Sequence, residues 1–176
     1  ASTEFTRSRF LVPWLCGYEG RALFVDNDVV CLGDVAELAA LPFDGCALHV
    51  VKHSQAVVDG SVKMYGATQH AYPRKNWSSV MLLDCAALTC WTRDVVEGGA
   101  MHRLHRFEDV PDAQVGALDP AWNVLDVPTP GTKLLHLTSG GPWFEAYRTC
   151  PGAELWFAER DQTPRVDRPE LTEARR

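Results

Sequence analysis

The chain has 176 residues and 46 % hydrophobic content, enough for one domain with a buried core. Its 17 Lys and Arg against 23 Asp and Glu leave a net charge of −6 with no long basic cluster, which argues against nucleic acid as a partner. No apolar run reaches the ~18 residues of a membrane span and no signal-peptide pattern opens the chain; its six cysteines lack C-x-x-C or His/Cys ligand spacing, so structural zinc is disfavoured and a cytoplasmic thiol protein is expected.

In chain order, Ser2 and Thr3 can cap a short helix carrying Phe5, Arg9 and Phe10, which Pro13 should kink or end. The apolar run 22–25 lies between Gly20 and Asp26-Asn27-Asp28 and reads as a strand buried on both faces. Residues 29–31 allow a second strand, Gly33-Asp34 a turn, and 35–41 a helix closed by Pro42. Further strands are expected at 46–51 and 79–83, with a helix over 86–96 broken by Gly98-Gly99. The polar stretch 102–126 reads as a long active-site loop, 134–137 as a core strand delivering His136 to an edge, and 154–159 as a helix. The fold class is α/β. Residues 1–160 form the expected catalytic region, and the charged, proline-containing 161–176 a disordered tail.

Asp26 and Asp28 stand one residue apart just after a strand, so both carboxylates can turn toward one cation of the oxygen-preferring kind, Mg²⁺ or Mn²⁺. Spacing alone also fits a solvated turn that caps a strand, so the surrounding residues decide. Val29 and Val30 stand where aspartyl phosphohydrolases, which use a similar acidic pair, need small residues and a hydroxyl. The segment from Ser2 to Pro13, then Ala22-Leu23-Phe24-Val25-Asp26-Asn27-Asp28 and Gly33-Asp34-Val35-Ala36-Glu37-Leu38, resembles glycosyltransferase family 8. In that family an arginine-bearing helix precedes a strand that ends in D-x-D. The resemblance implies a GT-A fold, a mixed sheet flanked by helices. It also implies donor contacts from Arg9, Asp26, Asn27 and Asp28, with Asp26 and Asp28 holding the cation.

The run Leu134-Leu135-His136-Leu137-Thr138-Ser139-Gly140-Gly141-Pro142-Trp143 is similar to the same family's C-terminal motif. It implies His136 as the third metal ligand and Gly140 and Gly141 as the loop on the donor. Gly141 stands where the family carries a lysine, and Lys52, Arg74, Lys75 and Lys133 are the candidates to supply that charge. Asn76, Ser78 and Ser79, around Trp77, resemble the loop that reads the donor sugar through amide and hydroxyl groups. Asp109, Asp112 and Gln114, upstream of the Trp122-Asn123 pair, are the candidates for the family's acidic catalytic cluster.

These residues imply metal-dependent transfer of a sugar, with retention, from a nucleotide-diphosphate donor such as a UDP-sugar to a carbohydrate, glycolipid or protein acceptor. The alternative is a domain of the same fold that binds sugar or nucleotide without turnover. Family 8 enzymes have base-binding strands ahead of the arginine helix; none precedes Ser2, so an N-terminal truncation is expected. Asp26, Asp28 and His136 should converge, each ending a strand on the carboxyl edge of one parallel sheet.

Overall fold

The computed structural model describes residues 4–54 and 73–164. The tail expected over 161–176 falls outside them from residue 165 onward, whereas Asp161 and Gln162 still belong to the last helix.

The N-terminal run bends through α1 (Glu4–Ser8), a 3-10 turn (Arg9–Leu11) and α2 (Val12–Leu15). Pro13 sits in the first turn of α2, where a missing N–H breaks no helical bond, so the chain stays helical past it. There follow β1 (Arg21–Val25), β2 (Val29–Cys31), α3 (Ala36–Ala40), β3 (Leu48–Val50) and β4 (Val80–Asp84). The single helix expected over 86–96 is instead a 3-10 turn (Cys85–Ala87) and a later α4 (Arg93–Gly98), which Thr92 caps by accepting from Val95 N–H. The stretch read as a loop holds α5 (Met101–His105), β5 (Val115–Ala117), a 3-10 turn (Pro120–Asn123) and β6 (Val124–Leu125). β7 (Leu134–His136) and α6 (Ala153–Gln162) complete the described chain.

The strands form two sheets, ordered β1-β4-β3-β5 and β2-β7-β6. β1 pairs antiparallel with β4, and β2 antiparallel with β7; β3 with β5 and β6 with β7 are the parallel pairs. A common carboxyl edge of parallel strands is therefore not what gathers the acidic pair and the histidine. Asp26 leaves the end of β1 in one sheet, Asp28 enters β2 in the other, and Asn27 between them crosses the junction.

β4 is buried on both faces, with Met81 and Leu83 in a cluster around Phe10, Trp91 and Phe107, and Val80 in a second cluster with Leu38, Trp122 and Leu134. β1 lies at the edge of its sheet, which leaves 22–25 half-buried rather than fully enclosed. Phe10 meets the Trp91 ring edge-on at 5.2 Å, and this contact seats the arginine-bearing turn on the main core.

Candidate metal centre

Strand pairing places the three candidate ligands. Asp26 N–H donates to the Ser79 carbonyl at 2.9 Å, extending the β1–β4 ladder by one rung. Across the second sheet Val29 pairs with His136, and Leu137 N–H donates to the Asp28 carbonyl at 3.0 Å. One ligand atom from each of Asp26, Asp28 and His136 lies within 4.8 Å of the others.

On one flank the group is enclosed by Arg9, which is almost fully buried. Its Nη1 donates to Asp26 Oδ2 at 3.2 Å and to the Ser78 carbonyl at 2.9 Å, its Nε donates to the Thr6 carbonyl at 3.1 Å, and its guanidinium lies 5.1 Å from the Phe24 ring centre. Asp26 Oδ1 lies 2.8 Å from Arg9 Nη2, yet it is buried without an aligned hydrogen bond among the described residues. Burial pushes the Asp26 carboxyl above its ordinary range and Asp28 adds to this, against the opposing charges of Arg9 and His136. Ser78 Oγ lies 2.7 Å from His105 Nδ1. Burial, with the Arg9 charge adding to it, lowers His105 to about 4, so the ring is neutral near pH 7.

On the other flank His136 Nε2 lies 3.1 Å from Asp28 Oδ1, and Nδ1 lies 3.1 Å from Asn123 Oδ1. Asn123 is 0 % exposed, and its Nδ2 donates to Ser79 Oγ at 2.9 Å and to the Asn76 carbonyl at 3.2 Å. Asn76 turns that carbonyl inward from a left-handed conformation, φ 65°, which asparagine adopts more readily than most residues. Asp126 holds the loop after His136, accepting from Thr138 Oγ1, Ser139 N–H and Ser139 Oγ, each at 2.9 Å.

A pocket of about 420 Å³ opens beside this flank, lined by Asn27, Asp28, Trp143, Phe144 and Trp156. A larger one of about 910 Å³ runs along β2 and α6 without touching Asp26, Asp28 or His136, so the smaller pocket is the one placed for chemistry at the acidic pair. Two carboxylates and one imidazole, with a buried carboxylate oxygen left without a hydrogen bond, form a donor set that suits a divalent cation of the Mg²⁺ or Mn²⁺ kind.

The other expected contacts divide. Ser78 and Ser79 are buried, and their hydroxyls meet His105, Asn76 and Asn123. Gly140 and Gly141 are buried in the loop below Trp143. A Cβ at Gly141 would meet the far edge of the Trp143 ring at 2.0 Å, so an indole covers the place where glycosyltransferase family 8 carries a lysine. Among the candidate cations Lys52 lies 5.8 Å from the Trp77 ring centre, Arg74 pairs with Asp112, and Lys133 pairs with Glu37 above the Trp122 ring. Asp109 pairs with Arg103, and both Asp109 and Asp112 line a different pocket, with Arg74 and Arg106; Gln114 is exposed.

Four members of this surrounding carry little or no signal in the sequence. Asn123 carried a signal only as half of the Trp-Asn pair, and His105 and Asp126 carried none. His53 follows an apolar strand run; its carbonyl accepts from Trp77 Nε1 at 3.2 Å, and burial followed by the nearby His136 lowers its pKa.

No family model matches the chain. It is 38 % identical over 184 aligned residues to Protein CDI of Arabidopsis thaliana, covering 99 % of this chain and 71 % of that protein. Among solved structures it is similar to the glycosyltransferase GlyE of Streptococcus pneumoniae TIGR4, with TM-score 0.60 and 18 % identity over 90 % of this chain and 43 % of that one. The bifunctional glycosyltransferase WbbM gives 0.58 and 16 % over 93 % and 36 %, and the galactosyltransferase LgtC, solved with donor and acceptor sugar analogs, 0.57 and 13 % over 94 % and 69 %. The chain thus spans less than half the length of GlyE and WbbM. At these identities the likeness is one of fold, and the fold is GT-A: a mixed α/β domain whose sheets are flanked by helices. Among the described residues no helix is long and apolar enough to cross a membrane.

Proposed function

The chain belongs to the family of Protein CDI, and from its GT-A fold and acidic centre we propose that it moves a sugar from a nucleotide-diphosphate donor to an acceptor hydroxyl. The observation that carries this reading is the convergence of Asp26, Asp28 and His136 within 4.8 Å at the junction of the two sheets. The resemblance to family 8 and its D-x-D motif adds the finer terms: a UDP-sugar donor, Mn²⁺ or Mg²⁺, and retention at the anomeric carbon. When bound, the cation supplies Lewis acidity that neutralises charge growing on the departing diphosphate. The protein's own residues orient the ligands: Arg9 fixes Asp26, Asn123 and Asp126 brace His136 and its loop, and Asn27 stands exposed at the pocket mouth.

The test is release of UDP from a panel of UDP-sugars with Mn²⁺, with and without chelator, in the wild type and Asp28→Ala. Turnover that ignores chelator, or that survives in folded Asp28→Ala, would overturn the reading.

A second reading, a domain that binds without turnover, is favoured by one observation. Trp143 covers the place of the family's lysine, while Lys52, Arg74 and Lys133 are each engaged elsewhere. Chelator-sensitive UDP binding with no sugar release from any donor would decide for it.

A further inference from the structure

We infer that Asn123 is a positioning residue that dictates, whenever the His136 ring is in its neutral form, which ring nitrogen carries the proton, leaving Nε2 with its lone pair turned toward Asp26 and Asp28. A neutral imidazole has one N–H and one lone pair. Two oxygens compete for that single proton, Asn123 Oδ1 at 3.1 Å from Nδ1 and Asp28 Oδ1 at 3.1 Å from Nε2. A carboxylate is by its charge the stronger acceptor. Left to that pair alone, the proton would sit on Nε2 and close the lone pair a cation needs.

The contest is decided on the far side of the Asn123 amide. Its Nδ2 faces the Asn76 backbone carbonyl at 3.2 Å and Ser79 Oγ at 2.9 Å. Ser79 Oγ already donates to the same carbonyl at 2.6 Å, so toward Asn123 it accepts. A backbone carbonyl can only accept. Turning the amide over would set Asn123 Oδ1 against that carbonyl in a space where Asn123 is 0 % exposed, leaving two buried acceptors facing each other. The amide is therefore locked with Oδ1 toward His136, and a lone pair on Nδ1 would face that oxygen's lone pairs with no way out. A lone pair on Nε2 faces Asp28 Oδ1, but that side chain is 23 % exposed and can turn its carboxylate to water. Nδ1 carries the proton.

The lock begins with Asn76, whose left-handed turn aims the carbonyl inward, and it extends through Asp126, which fixes the loop leaving His136. The Ser79 hydroxyl thereby has a part in the centre, reaching His136 only through Asn123. The tautomer follows from these contacts alone; its use for metal binding rests on the function proposed above.

The experiment is long-range ¹H–¹⁵N NMR of histidine-labelled, metal-free protein at alkaline pH, with His136 assigned by His136→Gln, alongside Mn²⁺ titration followed by the EPR signal of free Mn²⁺. The wild type should show the Nδ1–H form. Asn123→Asp, which keeps an acceptor at Nδ1, should retain it. Asn123→Leu should move the proton to Nε2 and weaken Mn²⁺ binding by roughly ten- to a hundredfold. An Nε2–H form in the wild type overturns the inference without any variant, so a Leu variant that does not fold leaves it decidable. Asn123→Leu with unchanged tautomer and Mn²⁺ affinity also overturns it. An Nδ1–H wild type that binds no Mn²⁺ upholds the positioning role and sinks the metal reading instead.

Discussion

The two flanks of the acidic centre are built on opposite plans. On the Arg9 flank the protein's own groups pair with one another, Asp26 Oδ1 apart: the guanidinium donates to Asp26 Oδ2, Ser78 and Thr6, and Ser78 meets a neutral His105. On the Asp28 flank two oxygens face one imidazole, and a pocket walled by Trp143, Phe144 and Trp156 opens to solvent. The difference teaches that the same motif has a closed side that maintains the fold and an open side where a ligand can enter. Mutations on the closed side should be read in stability, and those on the open side in binding and turnover.

The sharpest separation comes from Arg9→Ala against Asp28→Ala. Removing Arg9 leaves a largely buried Asp26 without its countercharge, which should cost about 3–5 kcal/mol by urea unfolding near pH 7. Asp28→Ala should instead cost roughly a thousandfold in metal-dependent turnover, about 4 kcal/mol of transition-state stabilisation. Its stability should change by under about 1 kcal/mol, because the side chain is 23 % exposed and its loss relieves like-charge repulsion on Asp26. A stable Arg9→Ala or an unfolded Asp28→Ala would break the division between the flanks.

The sequence disclosed the open flank better than the closed one, for a physical reason. D-x-D after an apolar run and a histidine after another are local patterns, and strand pairing brought them together even though β1 and β2 pair antiparallel with β4 and β7. The convergence does not come from one parallel carboxyl edge, which the D-x-D and histidine patterns by themselves would suggest. His105 carries no local pattern and Asn123 only its place in the Trp-Asn pair, because their partners Ser78, Ser79 and Asn76 are brought near by tertiary packing alone. The hydroxyls of Ser78 and Ser79 were visible in the sequence, but not that both turn inward. Over 102–126 the elements are too short for either period to register: β5 has three residues and β6 two. β1 has the composition of an enclosed strand, yet it forms an edge, since composition does not specify strand order.

The closed flank should also carry a pH signature. His105 falls from an ordinary 6.5 to about 4 in the folded chain, through burial and the Arg9 charge. Above pH ~6.5 both states hold it neutral. Below that the unfolded chain takes the proton first, so stability falls as pH drops toward about 4, by up to ~3 kcal/mol in all. His49 and His53 are also lowered by burial and push the same way, so His105→Gln should flatten the decline between pH 7 and 5 without abolishing it. Urea unfolding at both pH values gives the slope, and equal slopes in wild type and variant would remove His105 from the closed flank.

The smallest expected effects lie in the loop of the open flank and separate two adjacent glycines. Gly140 has φ 130°, a conformation that strains any side chain, and a Cβ there would stand 3.0 Å from the Tyr147 ring. Gly140→Ala should cost about 2 kcal/mol. At Gly141 the obstacle is the far end of Trp143, a side chain 39 % exposed that can swing outward, so Gly141→Ala should cost about 1 kcal/mol and alter the tryptophan fluorescence. Gly141→Lys bears on the comparison itself, because it puts the lysine of glycosyltransferase family 8 at the place the indole covers. If the loop is shaped to seat Trp143 beside Asp28, the lysine variant should displace the ring as alanine does and bind UDP with Mn²⁺ no more tightly than wild type. A lysine variant that gains UDP affinity at unchanged stability would mean that the loop still holds the diphosphate geometry of family 8, and that glycine here is a loss rather than a redesign.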